Sequence, residues 1–281
     1  MAAFRYVLVD VFTNRPLAGN QLAVFTDARD IPEETLQPLA REVNYSETVY
    51  VYPSEDAHAR IRIFTPASEM LFAGHPVLGT AFVLAAPLQL EEIRLETGAG
   101  VVPVKVEREG PSIVFGRMSQ PVPRVEQFPQ EAELLAALGV ASSELPVELY
   151  DLGIRHVFVA LPSEEDVTQL EPDLAALARL TGYVGTYCFA GGGTRWRSRM
   201  FAPGDGIPED PATGSAAGPL ACHLARHGWI RFGEEIEITQ GVEIGRPSTL
   251  FARAEGSAER VERVEVGGSA VVVARGEFQL R

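Results

Sequence analysis

The chain alternates short apolar runs with polar punctuation, and most of the runs carry the period of strands. "RYVLVDVF", "QLAVF", "ETVYVYP", "ARIRIFTP" and "EIRLETG" combine β-branched and aromatic residues with alternation, which predicts strands with at least one buried face. Helices are fewer. In "DIPEETLQPLAREV" Asp30 stands where an N-cap belongs, Pro32 falls in the first turn and Glu33 takes the capping-box position, which predicts a surface helix from about 31 to 43. "QEAELLAALG" and "EPDLAALARLTG" predict two more helices, closed by Gly139 and Gly182. The stretch "LFAGHPVLGTAFVLAAPLQL" (71–90) carries no formal charge over a length that spans a bilayer. Its internal His75, Pro76 and Pro87, with Glu69 and Glu91 outside it and no Lys or Arg, predict instead a helix buried in a protein core.

The apolar pattern repeats. "RIFTP" (62–66) and "RMFAP" (199–203) are each followed by an acidic, turn-rich connection and a small-residue helix opening on glycine, "GHPVLGTAFVLA" from Gly74 and "GSAAGPLACHLA" from Gly214. A strand and glycine turn follow each helix ("IRLETGAG", "IEITQGVEIG"), and a glycine-led strand precedes each copy ("GNQLAVF", "GIRHVFV"). Four matches in one order predict a duplicated unit, two similar halves related by a pseudo-two-fold axis. Their helix N-termini, with unpaired N–H groups and the positive end of the dipole, are expected to point into one cleft suited to a carboxylate or enolate oxygen. Close packing of small residues explains the same helices structurally, and the two explanations are compatible.

Composition narrows the partners. A chain of 281 residues with 46% hydrophobic content buries a large core, and its formal charge of −14 argues against nucleic acid and anionic membrane, leaving small molecules. Two cysteines are too few for a disulfide framework and the start "MAAFRYVLVD" lacks a signal pattern, so a reducing cytoplasm is expected.

At "NYSET" (44–48), "RIFTPASEMLFAGHPVLGTA" (62–81), "RHVFV" (155–159), "CFAGGGTRWRSRMF" (188–201), "EDPATGSAAGPLACHLARHG" (209–228) and "ITQGVEIGRPS" (238–248) the chain closely resembles the PhzF family of phenazine biosynthesis, over nearly its whole length. The resemblance implies an α+β fold of the diaminopimelate epimerase type, two pseudo-symmetric halves, each a curved sheet or barrel around a central helix. The halves are expected at 1–118, with its helix from about 75, and 119–281, with its helix from about 215, the last strand crossing back to the first half. Epimerases of this superfamily use two thiols at the helix starts; here Ala73, Gly74 and His75 stand at one and Ala212, Thr213 and Gly214 at the other, which excludes that chemistry. The implied reaction is a cofactor-independent isomerisation of trans-2,3-dihydro-3-hydroxyanthranilate, in antibiotic biosynthesis, by a homodimer.

The resemblance makes Glu47 the proton carrier, with His75 and Asp210 as its catalytic companions and Ser215, Gly74 and Gly214 holding a small carboxylate-bearing substrate. From the residues alone a turn glutamate is usually exposed and idle, Asp210 is a turn acid before a helix, Ser215 a first-turn hydroxyl, and His75 a core histidine. Tyr45, Val49 and Tyr50 are expected to desolvate Glu47 and raise its pKa. The alternatives are isomerisation or epimerisation of another small amino or hydroxy acid, and ligand binding without chemistry.

Other signals are weaker. Cys188 and Cys222 read as buried apolar groups. His223 and His227 have the spacing of a zinc pair, yet Leu224 replaces the glutamate of H-E-x-x-H and no third ligand is evident, so no metal is expected. "GGGTRWRSR" lacks the ending of a phosphate loop; its alternating Arg195, Arg197 and Arg199 are expected to pair with carboxylates or line a dimer surface. The connection 203–211 is expected to be a moving segment.

Overall fold

The computed structural model describes residues 2–280. Two compact units emerge, Met1–Ser119 with Gly267–Arg281, and Gln120–Val266. In chain order the first contains β1 (Ala2–Val11), β2 (Asn20–Phe25), α1 (Glu33–Val43), β3 (Glu47–Tyr52), β4 (Ala59–Phe64), β5 (Glu69–Met70), α2 (Gly74–Leu88), β6 (Glu92–Thr97), β7 (Gly100–Glu109) and β8 (Ser112–Gln120). The second contains β9 (Arg124–Gln127), α3 (Glu131–Leu138), β10 (Glu148–Asp151), β11 (Arg155–Ala160), α4 (Glu164–Thr168), α5 (Leu174–Leu177), β12 (Gly185–Gly192), β13 (Arg195–Ala202), β14 (Ile207–Asp210), α6 (Gly214–Arg226), β15 (Glu235–Gln240) and β16 (Ser248–Gly256). The chain closes with β17 (Val261–Gly268) and β18 (Ala270–Leu280), and β18 lies antiparallel to β1 along its whole length.

Strand pairing repeats as the sequence does. In the first unit β1 pairs antiparallel with β2, β2 runs parallel to β3, β3 pairs antiparallel with β4, and β4 runs parallel to β6, which turns back into β7. In the second, β10, β11, β12, β13, β15 and β16 make the same sequence of pairings. The register repeats too. Thr48 faces Phe64 and Tyr50 faces Arg62 in one unit; Thr186 faces Phe201 and Cys188 faces Arg199 in the other.

One helix fills each unit. α2 is apolar on all sides and every residue from Gly74 to Phe82 is buried; in α6 every residue from Gly214 to Ala225 is buried. A helix without a polar face belongs inside a core. Small residues allow the approach: a Cβ on Gly79 would meet Leu22 and Val11 side chains at 2.7 Å, and one on Gly218 would meet Gln120 Oε1 at 2.3 Å. No helix among the described residues is long and apolar enough to cross a membrane.

Two local expectations change. α1 begins at Glu33 with Pro32 as its cap, extended and making no side-chain bond, so Asp30 is not the N-cap. The proline ring pushes the residue before it out of helical space, which fixes the start two residues later. Gly139 does close α3, at φ 73, but α5 ends at Leu177 with Ala178 as its cap, and Gly182 lies further on, at φ 85. The segment 203–211 is a 3₁₀ turn, Pro203–Asp205, followed by β14.

Candidate active site

In the first unit Gly19, at φ +68, turns the chain into β2; a Cβ there would lie 2.3 Å from the Val11 carbonyl oxygen, so only glycine fits. The next residue is Asn20. Asn44 caps α1 in the left-handed region, its N–H on the Ala40 carbonyl, and so delivers Ser46 and Glu47 to the start of β3. The parallel register then sets Glu47 opposite Leu22. α2 opens at Gly74 with an extended Ala73 as its cap and no side chain on its free amides, placing His75 in the first turn.

These elements bring Glu47 and His75 together. Both are buried, and His75 Nε2 lies 3.3 Å from Glu47 Oε2. Burial lowers the His75 pKa to about 3, outweighing a hydrogen bond with the Gln21 backbone that pulls the other way, so the ring is neutral at physiological pH. The contact is therefore a neutral ring facing a carboxyl group, not an ion pair. His75 Nδ1 meets Asn20 Nδ2 at 3.2 Å, and Ser46 donates its hydroxyl hydrogen to Asn20 Oδ1 at 2.8 Å. Tyr50 does not shield Glu47. It sits an odd number of positions along β3, on the opposite face, where it joins Phe25, Leu36 and Phe64 under α1 and donates to the Leu36 carbonyl.

The second unit builds its own polar cluster at the start of α6. Asp210 ends β14, buried, and accepts from the Thr213 hydroxyl at 2.6 Å. The fully buried Gln240 clamps this connection, donating to the Asp210 carbonyl (2.8 Å) and Thr213 Oγ1 (3.0 Å) and accepting from the Thr213 N–H (3.2 Å). Gly241, at φ +75, follows, with the Pro211 carbonyl where a Cβ would be. Ser215 Oγ lies 2.9 Å from Nε2 of His156, a ring that burial holds neutral by lowering its pKa to about 4. The Gly214 carbonyl accepts from Gln120.

The two clusters occupy equivalent strands but are not copies. Leu22 faces Glu47 in one unit, and at the same register His156 faces Gly185 in the other. A Cβ on Gly185 would come 2.5 Å from Met200 Cε and 3.3 Å from His156 Nδ1.

A third cluster lies at the far end of α6. His223 Nδ1 and His227 Nε2 sit 3.2 and 3.1 Å from Glu148 Oε2, so the third group missing from the sequence pattern exists, supplied by β10. The Arg226 guanidinium donates to the same oxygen at 2.8 Å and to Tyr150 at 2.7 Å. A fixed cation already neutralises the carboxylate there, and the arrangement is an ion-pair network at a helix C-terminus. Arg197 pairs with Glu243 and Arg199 with Glu209, as the alternating arginines suggest. Cys188 and Cys222 are buried, and burial pushes the Cys222 thiol up to about 12 and Cys188 in the same direction.

Residues 9–276 match the family described as phenazine biosynthesis-like protein. The chain belongs to this family. It is 52% identical to the trans-2,3-dihydro-3-hydroxyanthranilate isomerase of Pseudomonas aeruginosa, over 98% of this chain and 99% of that protein. Among solved structures it resembles a PhzF-family phenazine biosynthesis protein of Bacillus anthracis, with a TM-score of 0.86 and 25% identity over the whole of both chains. A hydroxyproline epimerase of Agrobacterium vitis shares the fold alone, at TM-score 0.68 and 13% identity over 99% of this chain and 91% of that one. The PhzF family and the epimerases thus share one α+β architecture. Asn20, Ser46, His156 and Gln240 escaped the sequence reading although three of them lie inside strings that carried the resemblance.

Proposed function

We propose that this PhzF-family chain isomerises trans-2,3-dihydro-3-hydroxyanthranilate, and that Glu47 carries the proton. The observation that carries the mechanism is the buried Glu47 beside a neutral His75. The 52% identity to a curated isomerase of that substrate supports the reaction. Glu47 takes the proton from C3 as the double bond shifts, and returns it to C1 on the same face; the resulting enol then becomes a ketone. A carboxylate stripped of water is a better base than a solvated one, and one group serving as base and then acid needs no redox or carbonyl cofactor.

Asp210 and His75 steady charge as the proton moves, and Ser215 with the amides of Gly74 and Gly214 holds the substrate's polar groups. Support comes from the geometry within each unit: both helix starts are free of side-chain caps, and Ser215 is already oriented by His156. The enzyme works as a cytoplasmic homodimer without metal, a state that sedimentation and metal analysis check.

Substrate deuterated at C3 is expected to yield product deuterated at C1, in light water. Glu47→Gln is expected to abolish turnover while calorimetry still detects substrate binding. No conversion by the unaltered protein overturns the substrate; full activity in the variant overturns the mechanism.

A further inference from the structure

We propose that Asn20 is a positioning residue that decides which ring nitrogen of His75 carries the hydrogen, so that Nε2–H is presented to Glu47. The inference rests on the reading of Glu47 as the base.

The polar groups form one chain, and their chemistry gives it a direction. Glu47 in its basic form is a carboxylate, which only accepts. His75 Nε2 is buried 3.3 Å from that carboxylate and hydrogen-bonds to no other group, so to satisfy both atoms it must hold the ring hydrogen. A neutral ring has one hydrogen, so Nδ1 is left as a bare acceptor and needs a donor. Asn20 offers one with Nδ2 at 3.2 Å, which turns Oδ1 toward the Ser46 hydroxyl at 2.8 Å. Each link therefore donates toward Glu47: Ser46 to Asn20, Asn20 to His75, His75 to the carboxylate. Run backwards, the chain is consistent only with a protonated glutamate, which is no base. An amide is the side chain suited to the middle position, because it accepts on one side and donates on the other while staying uncharged in the core.

Backbone placement supports the assignment. Gly19 has no alternative residue at its φ of +68, and it sets Asn20 at the head of β2. The Asn44 cap sets Ser46 one position before Glu47. The first two links of the relay, Ser46 and Asn20, are thus fixed by left-handed turns rather than by mobile loops.

The test uses the full chain with ¹⁵N-labelled histidine, whose ring nitrogens report protonation by NMR, the His75 signals being assigned by their loss in His75→Gln. In the unaltered protein Nε2 of His75 is expected to carry the hydrogen and Nδ1 to be bare. Asn20→Asp keeps the size but only accepts, so Nδ1 is expected to gain a hydrogen. Its kcat is expected to fall between about 10-fold and 10⁴-fold, the latter being the cost of a wrong tautomer in a serine–histidine–aspartate triad, with KM changing far less. Ser46→Ala is expected to keep the tautomer and lose less activity. An Nδ1–H ring in the unaltered protein, or a bare Nδ1 in Asn20→Asp, overturns the proposal. The native spectrum decides even if Asn20→Asp fails to fold. Because it needs no substrate, it separates failure of this inference from failure of the Glu47 reading, which Glu47→Gln tests.

Discussion

The two units share strand order, register and a glycine-led buried helix, yet at one matched position the first has Glu47 and the second Gly185. The exchange is steric as well as chemical. Met200 and His156 crowd the space a side chain at 185 would enter, so a base on that strand would have to displace the end of Met200 and press on the His156 ring. The imidazoles are exchanged too: His75 sits on the helix and takes its partner Asn20 from the strand, whereas His156 sits on the strand and serves Ser215 on the helix. Duplication supplied two frameworks, and divergence left a buried carboxyl beside a neutral imidazole in one and a hydroxyl and a carboxyl around the helix start in the other. The proposed function, with a single base acting on one face, fits this asymmetry.

The comparison breaks if the first unit's carboxylate proves dispensable. Glu47→Gln is expected to cost at least about 10²-fold to 10⁴-fold in kcat, the range for general acid–base groups, measured by steady-state turnover. A transplant tests the other side. Gly185→Glu in the Glu47→Gln background is expected to restore no activity and to lower stability by roughly 3 kcal/mol or more, through overpacking and an unpaired buried charge, read as a lower urea midpoint.

Each unit also buries a neutral ring, which predicts a shared acid sensitivity. The folded protein protonates His75 near 3 and His156 near 4, against 6.5 for the unfolded chain. Between those values the unfolded state binds more protons, so stability is full above about 6.5 and is lost as pH falls toward 4, on the order of 2 kcal/mol per ring by pH 5. Urea midpoints at pH 7 and 5 measure the loss, and His156→Gln is expected to remove the share of that ring while leaving that of the buried His223, whose pKa burial also lowers. A stability profile flat from pH 7 to 5 contradicts it. The smallest effect sharpens the division of labour: Ser215→Ala is expected to raise KM about tenfold, near the 1.4 kcal/mol of one hydrogen bond, with kcat little altered.

Repetition, the helix starts and most strands were legible in the sequence because they follow from local periodicity and glycine placement. Glu47 was not, since a glutamate after a helix reads as a surface residue; only the resemblance selected it. Asn20 and His156 were harder still. Their partners His75 and Ser215 lie 55 and 59 positions away, on the buried helix of the same unit, and the packing of a strand residue against a helix so distant in sequence is encoded by no local pattern. Glu148 reaches His223 over 75 positions for the same reason. Asp30 failed as a cap because the geometry before Pro32 outweighs the capping preference.

The pairing of β18 with β1 along ten residues has a consequence for synthesis. The second unit, Gln120–Val266, is contiguous and is complete once its residues have left the ribosome; the first includes Gly267–Arg281 and is not. The usual order of N-terminal folding first is therefore reversed for completion. The unit that carries Glu47 and His75 waits, with the edge of β1 open, for residues 267–281, so a product stalled or shortened before them holds a finished second unit and an unfinished first one.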